Sequence, residues 1–238
     1  MDFFERQWSS YRRIVEHDLM EHEALADATA AALDGWLAAR HPGAPAPHLV
    51  DLGCGDLAQL VPLLQRLPLA SYTGLDLAAA VLPRAAQALG PVPYPTHWQE
   101  GDLLTWATGP ETKLASEPVD ILHSAFAIHH LDDAQKAAFL AASRRRISPQ
   151  GLMLWGDVFR EPGEALEAYR QRYCRRIQEQ WRPLTSEQQE HVIRHLSSFD
   201  LPADRVAIQQ VAEAAGWRWR WVWQGSHSAE ALAVLTPA

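Results

Sequence analysis

The stretch HLVDLGCGD, His48 to Asp56, decides the fold. Its first five residues are a short, mostly apolar run of the kind that fills a buried strand. The glycines that follow let the backbone turn tightly and approach a ligand where a side chain would clash. A helix is predicted over 57–66, directly after the turn. Strand, glycine turn and helix open an α/β sheet, in which ligands bind beyond the carboxyl ends of the strands. A short Gly-x-Gly serves several nucleotide-binding folds, so the surrounding sequence has to carry the rest.

Downstream the pattern alternates. Strands are predicted at 71–76, 96–99, 118–124 and 151–157, with helices at 78–89 and 133–147. Such alternation implies parallel strands joined by right-handed crossovers, with helices on both faces of the sheet. Two polar helical segments, 163–181 and 185–197, interrupt it and are predicted to lie over the sheet edge. A last helix at 204–215 ends at Gly216. The run WRWRWVW then alternates aromatic and basic residues before a hairpin into ALAVL, with its arginines on the outer face. Upstream, HPGAPAPH (41–48) stops any helix. Phe4, Trp8, Tyr11, Val15, Leu19, Leu25, Leu33 and Leu37 keep helical spacing before it, as one long helix or two shorter ones. The expectation is therefore one α/β domain over 1–238: N-terminal helices to 45, a core over 46–160, a helical insertion over 161–200, and a last helix and hairpin over 201–238. Its sheet is expected to be doubly wound, seven-stranded and mostly parallel, with a C-terminal antiparallel hairpin.

The second strand, SYTGLD, ends in Asp76, where a carboxylate can accept both hydroxyls of an adenosine ribose. EGDLL puts Asp102 at the end of the third strand, where it can accept from an adenine amino group. Three strand ends then converge on one crevice. In this order DLGCGD, GLD, GDL and VDILHSAFAIHHL resemble the motifs of the class I S-adenosylmethionine-dependent methyltransferases, with their Rossmann-like fold. The resemblance covers residues 48–157 by motif, and the final hairpin fits the family's extra antiparallel strands.

What the resemblance implies is S-adenosylmethionine as cofactor and S-adenosylhomocysteine as product; with the acidic charge and the helical insertion, the cofactor motifs point to a small-molecule acceptor. It places Asp51 near the methionine amino group and Gly53, Cys54 and Gly55 against the methionine part. Asp76 would hold the ribose, Asp102 the adenine, Leu77 and Leu103 would flank the base, and Ser124 would line the site after the fourth strand. One departure stands out: Leu57 occupies the place where many members have a third glycine. A dehydrogenase shares strand, turn and acidic residue, but its fingerprint wants glycine at the place of Ala58 and has no role for GDL or HHL. The other readings are a methyltransferase acting on RNA or protein and a non-catalytic cofactor-binding protein.

Methyl transfer from a sulfonium is an in-line displacement that needs alignment and exclusion of water, and a base only where the acceptor must lose a proton. His129 and His130 are the candidate catalytic residues; the alternative is that the first packs or caps the next helix. Trp8, Tyr11, Arg12 and His22 on a helical lid, Phe126 after the fourth strand, and Tyr169 and Tyr173 in the insertion are the candidate acceptor contacts. The competing reading of the N-terminal segment is a plain amphipathic helix. His191 and His195, one helical turn apart, lack the Glu of an H-E-x-x-H arrangement and an evident third ligand, so no metal is expected. Arg144, Arg145 and Arg146 end a helix, where cations complement its dipole.

The bulk composition agrees. The 238 residues are 47% hydrophobic, enough for a full core. The formal net charge of −8 offers no field to gather a polyanion, so nucleic acid is not an expected partner. No apolar run spans a bilayer and no signal peptide is evident, giving a cytoplasmic expectation with monomer or homodimer open. The two cysteines, Cys54 and Cys174, are expected as thiols. The ten tryptophans suit either a core or an apolar pocket.

Overall fold

The computed structural model describes residues 3–110 and 119–238, with side chains from Ser10 onward. Two helices come first, α1 (Phe3–Glu16) and α2 (His22–Ala39), broken where Asp18 and Glu21 take left-handed backbone angles. The core then runs β1 (His48–Leu52), α3 (Val61–Arg66), β2 (Ser71–Asp76), α4 (Leu82–Leu89), β3 (Thr96–Glu100), α5 (Leu103–Thr108), β4 (Val119–Ala125), α6 (Asp133–Arg146) and β5 (Ile147–Arg160). The chain continues through α7 (Leu166–Gln180), α8 (Ser186–Phe199), the two-residue β6 (Ala203–Asp204), α9 (Arg205–Ala214), β7 (Trp217–Gln224) and β8 (Glu230–Pro237).

The sheet order is β3-β2-β1-β4-β5-β8-β7, with β6 pairing β5 off that path. Strands β1 to β5 are parallel, β8 runs antiparallel to β5, and β7 antiparallel to β8. This is the doubly wound sheet with a terminal hairpin that the alternation implied. The chain leaves β1 in one direction and returns on its other side as β4, so the switch point lies beyond the carboxyl ends of β1 and β4.

Strand residues divide by parity, as a pleated strand requires. Leu49, Ile121, Leu152 and Leu154 face one apolar cluster, whereas Val50, Leu122, Met153 and Trp155 face the other. Covered on both faces, the central strands read as unbroken apolar runs. The tryptophan-rich β7 follows the same rule: Trp217 and Trp219 are buried while Arg218 and Arg220 point outward. Trp155, Trp219, Trp221 and Phe159 contact one another at tilted or edge-on angles, 5.0–5.6 Å between centroids, with Trp155 and Trp219 in the core and Trp221 packed against it.

Three expectations shift. Helix α3 starts at Val61 rather than 57, because residues 55–60 form turns. The helix expected from 78 opens as a tight turn over Ala79–Val81 before α4. Strand β5 extends to Ile147 and Arg160, well beyond 151–157; residue 118, the expected start of β4, lies outside the described residues. The two inserted helices form as expected, α8 opened by a capping box of Thr185 and Gln188. With Ile14 of α1 they enclose a third apolar cluster around Tyr169, Tyr173, Ile177 and Trp181. Among the described residues no helix is long and apolar enough to cross a membrane.

Candidate active site

A cavity of about 760 Å³ opens at the switch point, its walls drawn from α1, α2, the β1 turn, the ends of β2, β3 and β4, and the inserted helices. That is within the usual range for small-molecule sites.

At one end stands the glycine turn. Gly53 and Gly55 have φ of +73° and +54°. The Gly53 and Cys54 amides both donate to the Leu75 carbonyl, fastening the turn to β2. A Cβ on Gly53 would lie 2.5 Å from Ala127 Cβ. Gly53→Ala therefore combines a left-handed alanine, costing about 1–2 kcal/mol, with displacement of the loop after β4. A lowered thermal midpoint and weaker cofactor binding are expected together, and thermal unfolding with and without S-adenosylhomocysteine checks both.

Leu57 takes a left-handed backbone conformation, φ +61°, of the kind that favours glycine. Its side chain is buried in the apolar cluster against α3 and α4. Burial worth about 1.5–3 kcal/mol offsets the conformational cost.

Asp76 accepts from the Gly55 amide on Oδ2 at 2.9 Å and from the Ala78 amide on Oδ1 at 2.8 Å. Each oxygen retains a lone pair, so the carboxylate can still take two donors, which suits a vicinal diol. Asp102 lines the cavity and also caps α5, taking the Thr105 amide at 2.7 Å. Leu77 and Leu103 lie beside it on the cavity wall. Asp51 is buried, with Tyr72 donating to Oδ2 at 3.0 Å and His123 Nδ1 2.7 Å from Oδ1. Burial holds the Cys54 thiol protonated, well above its ordinary range, and the Asp51 and Asp76 charges add to this.

The other end is built on the loop after β4. Phe126 is left-handed, at φ +52°, and its ring stands 5.0 Å from that of His22. Of the five non-glycine residues with positive φ among the described residues, Leu57 and Phe126 line the cavity and Asp18, Glu21 and Ser228 do not. His129 is enclosed by Asp157, whose Oδ1 lies 2.6 Å from Nδ1 and whose Oδ2 accepts the His129 amide. Burial alone pushes the His129 pKa down, but Asp157 and Asp200 outweigh it and hold it up at about 10. His130 goes the other way, to about 4, through burial and its charged neighbour His129. At neutral pH one imidazole is a cation and the next is neutral, so neither is a strong free base.

His22, Tyr169 and Trp181 each line the cavity with a buried polar atom that has no hydrogen-bond partner in the protein: Nδ1, Oη and Nε1 respectively. Buried polar groups are normally satisfied, so these unpartnered atoms are places where a polar ligand could be held. Burial lowers the His22 pKa to about 4, with Asp18 opposing. The unfolded histidine titrates near 6.5, so between these values the unfolded chain binds the extra proton. Stability present above pH 6.5 is then lost as pH falls toward 4, by about 3 kcal/mol for this group. Urea midpoints at pH 7 and pH 4.5 should move apart less in His22→Gln than in the parent.

Of the residues singled out by sequence, Asp51, Gly53, Cys54, Gly55, Asp76, Leu77, Asp102, Leu103, Tyr11, His22, Phe126, His129, His130, Tyr169 and Tyr173 meet on this cavity. Two do not. Ser124 is wholly buried and donates to the Leu52 carbonyl at 2.8 Å, since strand alternation sends His123 to the cavity and Ser124 to the opposite face. Arg12 is exposed and pairs with Glu16 one turn along α1. Trp8 is on α1, but its side chain lies outside the described residues. Sequence reading missed Asp157, Asp200, Trp181 and His123. A lone acid inside the apolar run LMLWGDVF was the available signal for Asp157.

Residues 50–153 match the family model described as a methyltransferase domain. Over 125 residues the chain is 34% identical to a trans-aconitate 2-methyltransferase of Azoarcus sp. (strain BH72), covering 52% of this chain. The match spans 44% of that relative's own length. Among solved structures, the chain resembles DhpI in its complex with S-adenosylhomocysteine (18% identity, 98% of this chain and 96% of that one, TM-score 0.57). It also resembles a TehB-like methyltransferase from Corynebacterium glutamicum (15% identity, 96% and 99% covered, TM-score 0.53). At these identities the likeness is one of fold.

Proposed function

From a core that is a class I methyltransferase domain, we propose that the chain transfers a methyl group from S-adenosylmethionine to a small acceptor bearing a carboxylate. The observation that carries this reading is the cavity joining the Gly53–Gly55 turn and Asp76 to the unpartnered Tyr169 Oη and Trp181 Nε1.

The cofactor supplies an electrophilic methyl on a sulfonium, which leaves S-adenosylhomocysteine once its bond to sulfur breaks. Asp76 would hold the ribose hydroxyls on its remaining lone pairs, and Asp102 would take the adenine amino group on the oxygen not used for capping. Gly53, Gly55 and Asp51 would hold the methionine portion, and Leu77 and Leu103 would flank the base.

At the acceptor end His129 carries a proton that Asp157 stabilises, and Tyr169 and Trp181 offer Oη and Nε1. These groups hold an acceptor oxygen without removing a proton from it. An acceptor that is already anionic needs no base, and the relative's printed substrate class, a carboxylic acid, supports the choice. Tyr11, His22, Phe126 and Tyr173, with the inserted helices, exclude water and align the nucleophile.

The test is release of S-adenosylhomocysteine, followed by chromatography, in the presence of small di- and tricarboxylic acids, simple alcohols and amines, total RNA or lysate protein. Turnover with the carboxylic acids is expected. Turnover confined to RNA or protein would overturn the acceptor assignment, and none with any acceptor would favour a non-catalytic binding protein.

A further inference from the structure

His129 and His130 follow β4, His195 lies on α8, and Asp200 directly follows α8. A backbone bond from the Leu201 amide to the His129 carbonyl, 2.8 Å, pins the two segments together, so these side chains share a preformed frame.

Asp200 Oδ1 lies 3.6 Å from each of His129 Nε2, His130 Nδ1 and His195 Nε2. That oxygen is buried and makes no hydrogen bond. The ligating atoms of His129, His130 and Asp200 all fall within 4.8 Å of one another. A separation of 3.6 Å is too long for a hydrogen bond. It is close to the donor-to-donor edge, about 3.3–3.4 Å, of a tetrahedron whose metal bonds are 2.0–2.1 Å. The mutually close donors are two imidazoles and one carboxylate, a set that suits zinc and its neighbours and not magnesium or calcium, which want oxygen. His129 also has the support a ligating histidine usually has: Asp157 stands behind Nδ1 at 2.6 Å and turns Nε2 toward Asp200. His130 Nδ1 has one competing contact, the Phe199 carbonyl at 3.5 Å.

We propose that His129, His130 and Asp200 form a three-ligand site for one divalent cation of the zinc class, its fourth position open, tying the segment after α8 to the loop after β4. The cation fastens the inserted helices over the cavity and presents a positive charge at its acceptor end, which suits a carboxylate. Binding the cation displaces the proton from His129, so the cation then supplies the positive charge that the protonated imidazole supplies in the proposed function. The cofactor turn contributes no ligand, and metal binding is read without any methyl transfer, so failure of one idea is distinguishable from failure of the other.

The experiment is titration of the chelator-treated full chain with Co²⁺, read by visible absorption, followed by competition with Zn²⁺. Expected are one equivalent bound, the d–d bands of tetrahedral cobalt, and displacement by zinc. Zinc should also raise the thermal midpoint. Asp200→Asn and His130→Ala should each weaken binding about 10-fold or more. The second keeps the test decisive if circular dichroism shows the first to be misfolded. Absence of stoichiometric binding, or binding unchanged in a folded variant, would overturn the proposal.

Discussion

Replacing Arg176 by alanine should destabilise the chain by about 3–5 kcal/mol, the usual cost of removing one partner from a buried ion pair. Arg176 is buried on α7, and its Nη1 lies 2.6 Å from Oε1 of Glu230, which is completely enclosed at the start of β8. Tyr173 donates to the same oxygen at 2.8 Å, and Arg176 Nη2 donates to the Leu19 carbonyl at 2.8 Å. One guanidinium thus ties the inserted helix to the sheet and to the link between α1 and α2. Without it, the Glu230 carboxylate is left in an apolar setting with one hydroxyl donor. The double variant Arg176→Ala/Glu230→Gln should recover part of the loss, because the stranded charge is gone. Urea unfolding of the three proteins checks this, and additive losses would contradict it.

Asp76→Ala should abolish cofactor binding at practical concentrations. Two charge-assisted hydrogen bonds to the ribose, about 1.5–3 kcal/mol each, correspond to a fall in affinity of about 100-fold or more. The turn suffers too, since the Gly55 amide loses its acceptor. Asp76→Asn, which retains one acceptor oxygen, should fall between the parent and the alanine variant. Equilibrium dialysis with labelled S-adenosylmethionine orders the three. Equal affinities would remove Asp76 from the site.

The turn and strand ends proposed to hold the cofactor were legible in the sequence because they fall on neighbouring residues. Gly53 and Gly55 are required by one turn, Asp76 ends β2, Asp102 caps α5 just after β3, and the apolar runs mark the strands themselves. The acceptor half was not, because it is assembled from distant places. Asp157 lies inside β5 and Asp200 follows an inserted helix, and only the fold brings both to His129. Ser124 was misplaced by one residue. The two-residue period of a strand, applied from Asp51 through its neighbour His123 in β4, sends the histidine and not the serine to the cavity. Leu57 looked like a departure from the glycine pattern, yet its left-handed backbone preserves the turn, and no pattern of residue types reveals that. The His191 and His195 pair looked solvated from helical spacing alone; Asp200 gives His195 a neighbour that spacing cannot show.

The most direct test of the central claim is isothermal titration of the full chain with S-adenosylhomocysteine. The account predicts saturable binding at one site per chain, in the micromolar range, and loss of that heat in Asp76→Ala. Absence of saturable heat in the folded parent protein at millimolar ligand would contradict it.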